Sequence, residues 1–136
     1  MTLSSLDALR QRIELIEETY DFMLAYAAQG LSGDEAGGPG TQLRDLLGRC
    51  QDALEVLPQL LETLIEAQRM EPAAPYHAFL DIVARDAQNT QTAFKLVLAQ
   101  RTISSQLIDN LNAWVHLRAL LTDLFVIDEL LRGITG

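Results

Sequence analysis

Residues 5–29 read SLDALRQRIELIEETYDFMLAYAAQ, and this stretch decides the fold. Its apolar side chains stand at Leu6, Leu9, Ile13, Ile16, Tyr20, Met23 and Ala27. They are spaced alternately three and four residues apart, the period of one helix face. A helix with such a stripe is stable only when the stripe is covered by other elements. Ser4 or Ser5 can accept from the orphan N–H groups at its start, Asp7 suits the positive end of the helix dipole, and Gly30 is a natural stop.

The same period recurs along the rest of the chain. Residues 30–40 hold five of the eight glycines and predict a mobile loop. That loop does not read as a phosphate cradle, because no strand precedes it, no Lys follows its glycines, and Asp34 and Glu35 would repel an anion. A second helix is expected over about 41–70, capped by Thr41, with a stripe from Leu43 through Leu47, Cys50, Leu54, Leu57 and Leu61 to Leu64. Pro58 lies inside it, and because the stripe keeps phase across the proline, one bent helix is expected. A third helix follows over about 75–100, with small and polar residues from Asp86 to Ala93 in its middle. The fourth, over about 105–132, carries Leu107, Leu111, Trp114, Leu117, Leu121, Leu124, Phe125 and Leu131, with Leu120, Val126, Ile127 and Leu130 off that stripe. Between the third and fourth no Gly or Pro marks a boundary, so residues 100–105 could turn or continue the helix. Alternating apolar runs with turn pairs, the mark of strands, are missing throughout.

Together these segments predict an all-α, single-domain chain over 1–136, an antiparallel four-helix bundle. The alternative is a dimer of helical hairpins with one long third-plus-fourth helix. Such a chain, with 49% hydrophobic residues, can build a core without disulfides or metals. The lone cysteine, Cys50, sits on the core stripe and reads as a small buried hydrophobe. Nineteen acidic against ten basic residues give a net charge of −9, which opposes binding to nucleic acid or to an anionic membrane. No secretory leader or spanning run is visible, so a cytoplasmic location is expected.

No catalytic constellation emerges. His77 and His116 are the two histidines, and neither follows a Glu or Asp by three residues as helix-borne di-iron sites require. No catalytic residue, metal or cofactor is therefore expected. His116 stands seven residues from both Asp109 and Asp123, which suggests a polar seam or a pH-sensitive contact. Asp128 falls among the leucines of the fourth stripe, with Arg132 one turn on as its expected partner. Leu15, Phe22 and Tyr26 align on the first helix away from its stripe, and Val126, Ile127 and Leu130 are surplus on the fourth. Aligned apolar groups of this kind mark contact surfaces. The function expected is a non-enzymatic protein-binding bundle, an adaptor, assembly chaperone or regulator. Those six residues form its interaction face, the acidic ridge of Glu14, Glu17, Glu18 and Asp21 selects a basic partner, and a homodimer is its expected state. Two other readings stand beside it. One is a small-molecule or cofactor-binding bundle, even an enzyme, using Asp86, Thr90, Trp114 and His116. The other is an acidic decoy for a nucleic-acid-binding protein.

Overall fold

The computed structural model describes residues 4–34 and 38–133, and among them there are five helices and no strand. α1 spans Ser5–Ala28, α2 Pro39–Ala67, α3 Ala73–Leu98, α4 Ser105–Asn112 and α5 Val115–Leu131. The chain is all-α. None of these helices is long and apolar enough to cross a membrane.

The start signals act as their chemistry dictates. Ser4 Oγ accepts from the Asp7 N–H at 3.1 Å and Ser104 Oγ from the Leu107 N–H at 3.1 Å, each satisfying a donor that the first turn leaves orphaned. α2 begins two residues before the expected Thr41, because Pro39 fills a first-turn position that needs no N–H. It then runs through Pro58 as one helix. α2 stops where Arg69 takes φ 47°, letting the Met70 N–H reach back to the Ile65 carbonyl at 3.2 Å.

α1 packs on α2, α2 on α3, α4 on α1 and α5 on α3. Leu9, Ile13, Met23, Leu43, Leu54, Leu57, Val83, Phe94, Ile108, Leu120 and Leu124 meet in one core, each almost fully removed from water. Burial of such a side chain is worth roughly 1.5–3 kcal/mol.

Four expectations are corrected. The fourth segment is two helices, interrupted at Ala113 and Trp114, while the turn between the third and fourth segments falls at 99–104, where the four-helix reading put it. The break lets two differently phased buried sets both face inward. Ile108 and Asn112 point into the core from α4, and Leu117, Leu120 and Leu124 from α5. At about 100° per residue their mean directions differ by roughly 140°, which one straight helix cannot reconcile. Tyr26 is fully buried, because the 99–104 turn folds over the end of α1 and its hydroxyl donates to the Ile103 carbonyl at 2.6 Å. Ile127 is likewise core, since α5 rolls it towards Leu61 and Leu64 of α2. Arg132 lies 3.5 Å from Glu129, and the buried carboxylate of α5 is Asp123, not Asp128, which is half-exposed.

The described part of the Gly-rich stretch is tied down. Asp34 accepts from the Ile103 N–H at 2.7 Å and from Arg44 Nε at 2.5 Å, and its own N–H donates to Thr102 Oγ1 at 3.2 Å. Leu31 and Ser105 exchange two further bonds, and the Ser105 hydroxyl donates to the Tyr26 carbonyl at 2.6 Å. Arg44 also caps the end of α3 through the Leu98 and Gln100 carbonyls at 3.1 and 2.9 Å. The two loops at this end of the molecule thus form one polar clasp. The mobile loop expected over 30–40 extends into residues 35–37, which lie outside the described residues.

Candidate functional site: the groove at the break between α4 and α5

α4 leans on α1 while α5 leans on α3, so the chain crosses from one neighbour to the other between them. Between the C-terminal half of α3 and α4 this leaves a groove. Its apolar lining is Ala93, Leu96, Val97, Leu107, Leu111 and Trp114, and its polar edge is Asn89, Thr92, Asn110 and His116. Leu96 is 66% exposed, and Val115, the first residue of α5, is 67% exposed. They are the two most exposed large apolar side chains among the described residues. Trp114 is half-buried and meets the His116 ring edge-on, with centroids 4.7 Å apart and planes at 63°. Asn89 Nδ2 lies 3.5 Å from His116 Nδ1, joining α3 to α5 at the end of the groove.

Below that contact the α3–α5 seam stays polar for another turn. Asp123 is only 7% exposed, with Asp86 of α3 near it. Burial, then the neighbouring Asp86, push the Asp123 carboxyl up to about 8. Its Oδ2 is buried with no hydrogen-bond partner.

The residues singled out from sequence divide clearly. Trp114 and His116 stand together in the groove, and Asp86 faces the same seam. Thr90 does not join them: it is buried, and its hydroxyl donates to the Asp86 carbonyl within α3. Leu15 lines a mixed polar and apolar surface between α1 and α2, beside Arg12, Arg49, Asp52 and Val56, and Phe22 is half-buried. Val126 and Leu130 are 41% and 43% exposed on α5, and Leu130 borders a small apolar hollow with Leu64, Met70, Tyr76 and Phe79. The six residues expected to form one face are therefore distributed over the core and separate surfaces. Leu96, Val115, Asn89 and Asp123 complete the groove and its seam.

Chemistry of the nucleophilic or metal-assisted kind finds little to work with here. Cys50 is buried elsewhere in the core, and its thiol is pushed up to about 12 by burial, against a weaker opposing hydrogen bond from Thr19. Among the described residues no three of His, Cys, Asp and Glu gather to hold a metal ion. The groove offers apolar area, one aromatic pair and neutral hydrogen-bonding groups, which suits recognition. Comparison with protein-family models, with curated proteins and with solved structures finds no match to this chain.

Proposed function

We propose that this chain is a non-enzymatic helix-binding module, an adaptor, assembly chaperone or regulator. In this reading α4 and α5 together serve as the broken fourth rod of an antiparallel four-helix bundle. The observation that carries the reading is the groove with an apolar floor whose Leu96 stands in water at 66% exposure. An amphipathic helix laid along it would cover Leu96 and Trp114 and reach the exposed Val115 next to Trp114 in the chain, with Asn89, Asn110 and His116 left to bond its polar edge.

Charge argues for a basic partner. Each copy of the chain carries −9, so a second copy is repelled where a cationic helix is drawn in. The acidic surplus is concentrated where α1 meets α5. Burial raises the Glu17 carboxyl, and Asp128, Asp21 and Glu14 raise it further; among the described residues no basic side chain is ion-paired to any of the four.

The test is a photo-crosslinking amino acid at Leu96, with a control at Glu62 on the outer face of α2, in cells of the source organism. A partner adduct specific to position 96 and lost on Val115→Glu supports the reading. A synthetic helix from that partner should then blue-shift the emission of Trp114, the sole tryptophan. Equal adducts from both positions, adducts only with the chain itself, or unchanged Trp114 emission overturn it.

A further inference from the structure

α5 is apolar on two sides. Leu117, Leu120, Leu121, Leu124, Ile127 and Leu131 are buried in the core. On the other side Val115, Ala119, Thr122, Val126 and Leu130 follow one another at steps of four, three, four and four, the spacing of a second helix face. At about 100° per residue the mean directions of the two sets differ by roughly 150°. Val115, Val126 and Leu130 are exposed, as is Phe125 beside them, so half of the exposed large apolar side chains among the described residues stand on this one helix. Ile82 of α3 is exposed too. Asn89 meets His116 and Phe79 shares a hollow with Leu130, so the antiparallel register of α3 and α5 sets Ile82 level with Val126. A helix that is apolar all round needs cover on more than one side, and the outer side of α5 has none among the described residues.

The charges say what fits there. Residues 1–67 hold twelve acidic and four basic side chains, and residues 68–136 seven and six, so nearly all of the −9 belongs to the α1–α2 half. Within α5, Asp123 is buried and Asp128 lies roughly 160° round the helix from Val126. The outer face is left with one cation, Arg118, and one anion, Glu129, eleven residues apart. Eleven residues make about three turns, so the two stand on one side of the stripe, near its opposite ends. Among the described residues Arg118 is in no ion pair, and Glu129 meets only Arg132 in an exposed 3.5 Å contact, which is worth little.

We propose that the outer face of α5, with Ile82 beside it, is the two-fold contact of a homodimer. An antiparallel pairing with α5 of a second copy, centred between Asp123 and Leu124, sets Arg118 of each copy against Glu129 of the other and closes the two apolar stripes on each other. A strongly basic or acidic partner gains nothing from a face whose own charges cancel, whereas a second copy presents the same charges in reverse order. The repulsion that a second copy meets elsewhere is least in this arrangement. The outer face of α5 points away from the core that the acidic α1 and α2 enclose, and their charges are screened beyond a Debye length of about 8 Å. α5, with 17 residues, is about 26 Å long, and with the Ile82 side of α3 the strip covers roughly 500 Å² on each copy. The roughly 1,000 Å² buried in all is the low end for a specific interface and fits association in the micromolar range. The inference does not rest on the docking reading, since the groove lies between α3 and α4.

The experiment is sedimentation velocity on the full chain from about 1 to about 300 μM, for wild type, Val126→Glu, Arg118→Glu, Glu129→Arg, both charge exchanges together, and Leu96→Glu. Wild type should pass from one chain to two. Val126→Glu should remain a single chain throughout, with unchanged helical circular dichroism. Arg118→Glu and Glu129→Arg should each weaken association by about tenfold or more, and the two together should restore it. Leu96→Glu, which alters the groove alone, should associate as wild type does. If Val126→Glu loses helicity, the charge exchanges decide the matter by themselves. A wild type that stays a single chain over the whole range, a helical Val126→Glu that pairs as wild type does, charge exchanges without loss and recovery, or association abolished by Leu96→Glu would each overturn the proposal.

Discussion

Replacing Asp34 by alanine should unfasten the clasp between the α1–α2 and α3–α4 loops. The Asp34 side chain is only 6% exposed, yet its carboxylate receives the Ile103 N–H at 2.7 Å and the Arg44 guanidinium at 2.5 Å. Breaking a buried ion pair by removing one partner costs roughly 3–5 kcal/mol, and leaving a buried N–H unsatisfied costs roughly 1–3 kcal/mol. These costs overlap, and the Arg44 side chain is 31% exposed, so water recovers part of the loss. The expected destabilisation is therefore about 3 kcal/mol, or about 9 °C in thermal midpoint for a chain of this size. Asp34→Asn keeps an acceptor for Ile103 and should cost about 2 kcal/mol. The assay is urea unfolding followed by helical circular dichroism at neutral and at acid pH. Hydrogen bonding from Arg44, outweighing some desolvation, lowers the Asp34 carboxyl below its ordinary value, and the Ile103 and Thr102 bonds add to this. Its contribution is therefore present above the unfolded value near about 3.9 and lost as pH falls through the lower folded value. The gap between wild type and Asp34→Ala should close in acid. A neutral-pH cost under about 1 kcal/mol, or a gap that persists at pH about 2, refutes the clasp as an energetic feature.

Three further perturbations test the same molecule. Gly40→Ala should cost about 1–3 kcal/mol in thermal unfolding, because a Cβ there would press on Asp34, whose Cα would lie 2.8 Å away. Arg69→Gly should stabilise by about 0.5–1 kcal/mol, since Arg69 holds φ 47° at the end of α2, where a side chain is strained and glycine is not; an unchanged or lower midpoint would contradict this. Cys50, with 1% exposure and a thiol raised to about 12, should react with a thiol reagent at pH about 8 only as fast as the chain unfolds, and immediate labelling of the native protein would contradict its burial.

The helical class and the extents of α1, α2 and α3 could be read from the sequence because a 3.6-residue period survives wherever one face is buried. The break in the fourth segment could not. Leu107, Leu111, Trp114 and Leu117 keep three- and four-residue steps that look continuous, yet Ile108 is fully buried while Leu107 and Trp114 are only half-buried. Asp128 was expected inside because Leu117, Leu121, Leu124 and Leu131 alone define a face centred near it. Leu120 and Ile127 are also core, and they turn that face towards Asp123. The groove was legible in part, through Trp114, His116 and the polar run after Asp86. The contacts between Asp34 and residues 102–103 were not, since polar bonds between distant loops leave no periodic trace in either segment.

The break itself has an energetic shape that bears on function. Neither glycine nor proline produces it, and no side chain caps the start of α5. The Asn112 amide N–H donates to the Met23 carbonyl at 3.2 Å, while its Oδ1 is buried without a partner. Val115, which would continue inward from Ile108 and Asn112 on an unbroken helix, is instead turned out to 67% exposure. Two turns along α5 lies the second buried polar atom without a partner, Asp123 Oδ2. Along most of the described chain local preference and tertiary packing agree, Pro58 within α2 and Arg69 at φ 47° being exceptions of their own. A folding sequence is expected to break that agreement chiefly where a site requires it. Asp123 Oδ2 is on α5 and Val115 opens that helix, whereas Asn112 faces α1 through its bond to Met23 and Leu96 lines the groove from α3. For the proposed docking reading, the exposed Leu96 and the half-buried Trp114 in the groove favour it over the Leu130 hollow as the surface to test.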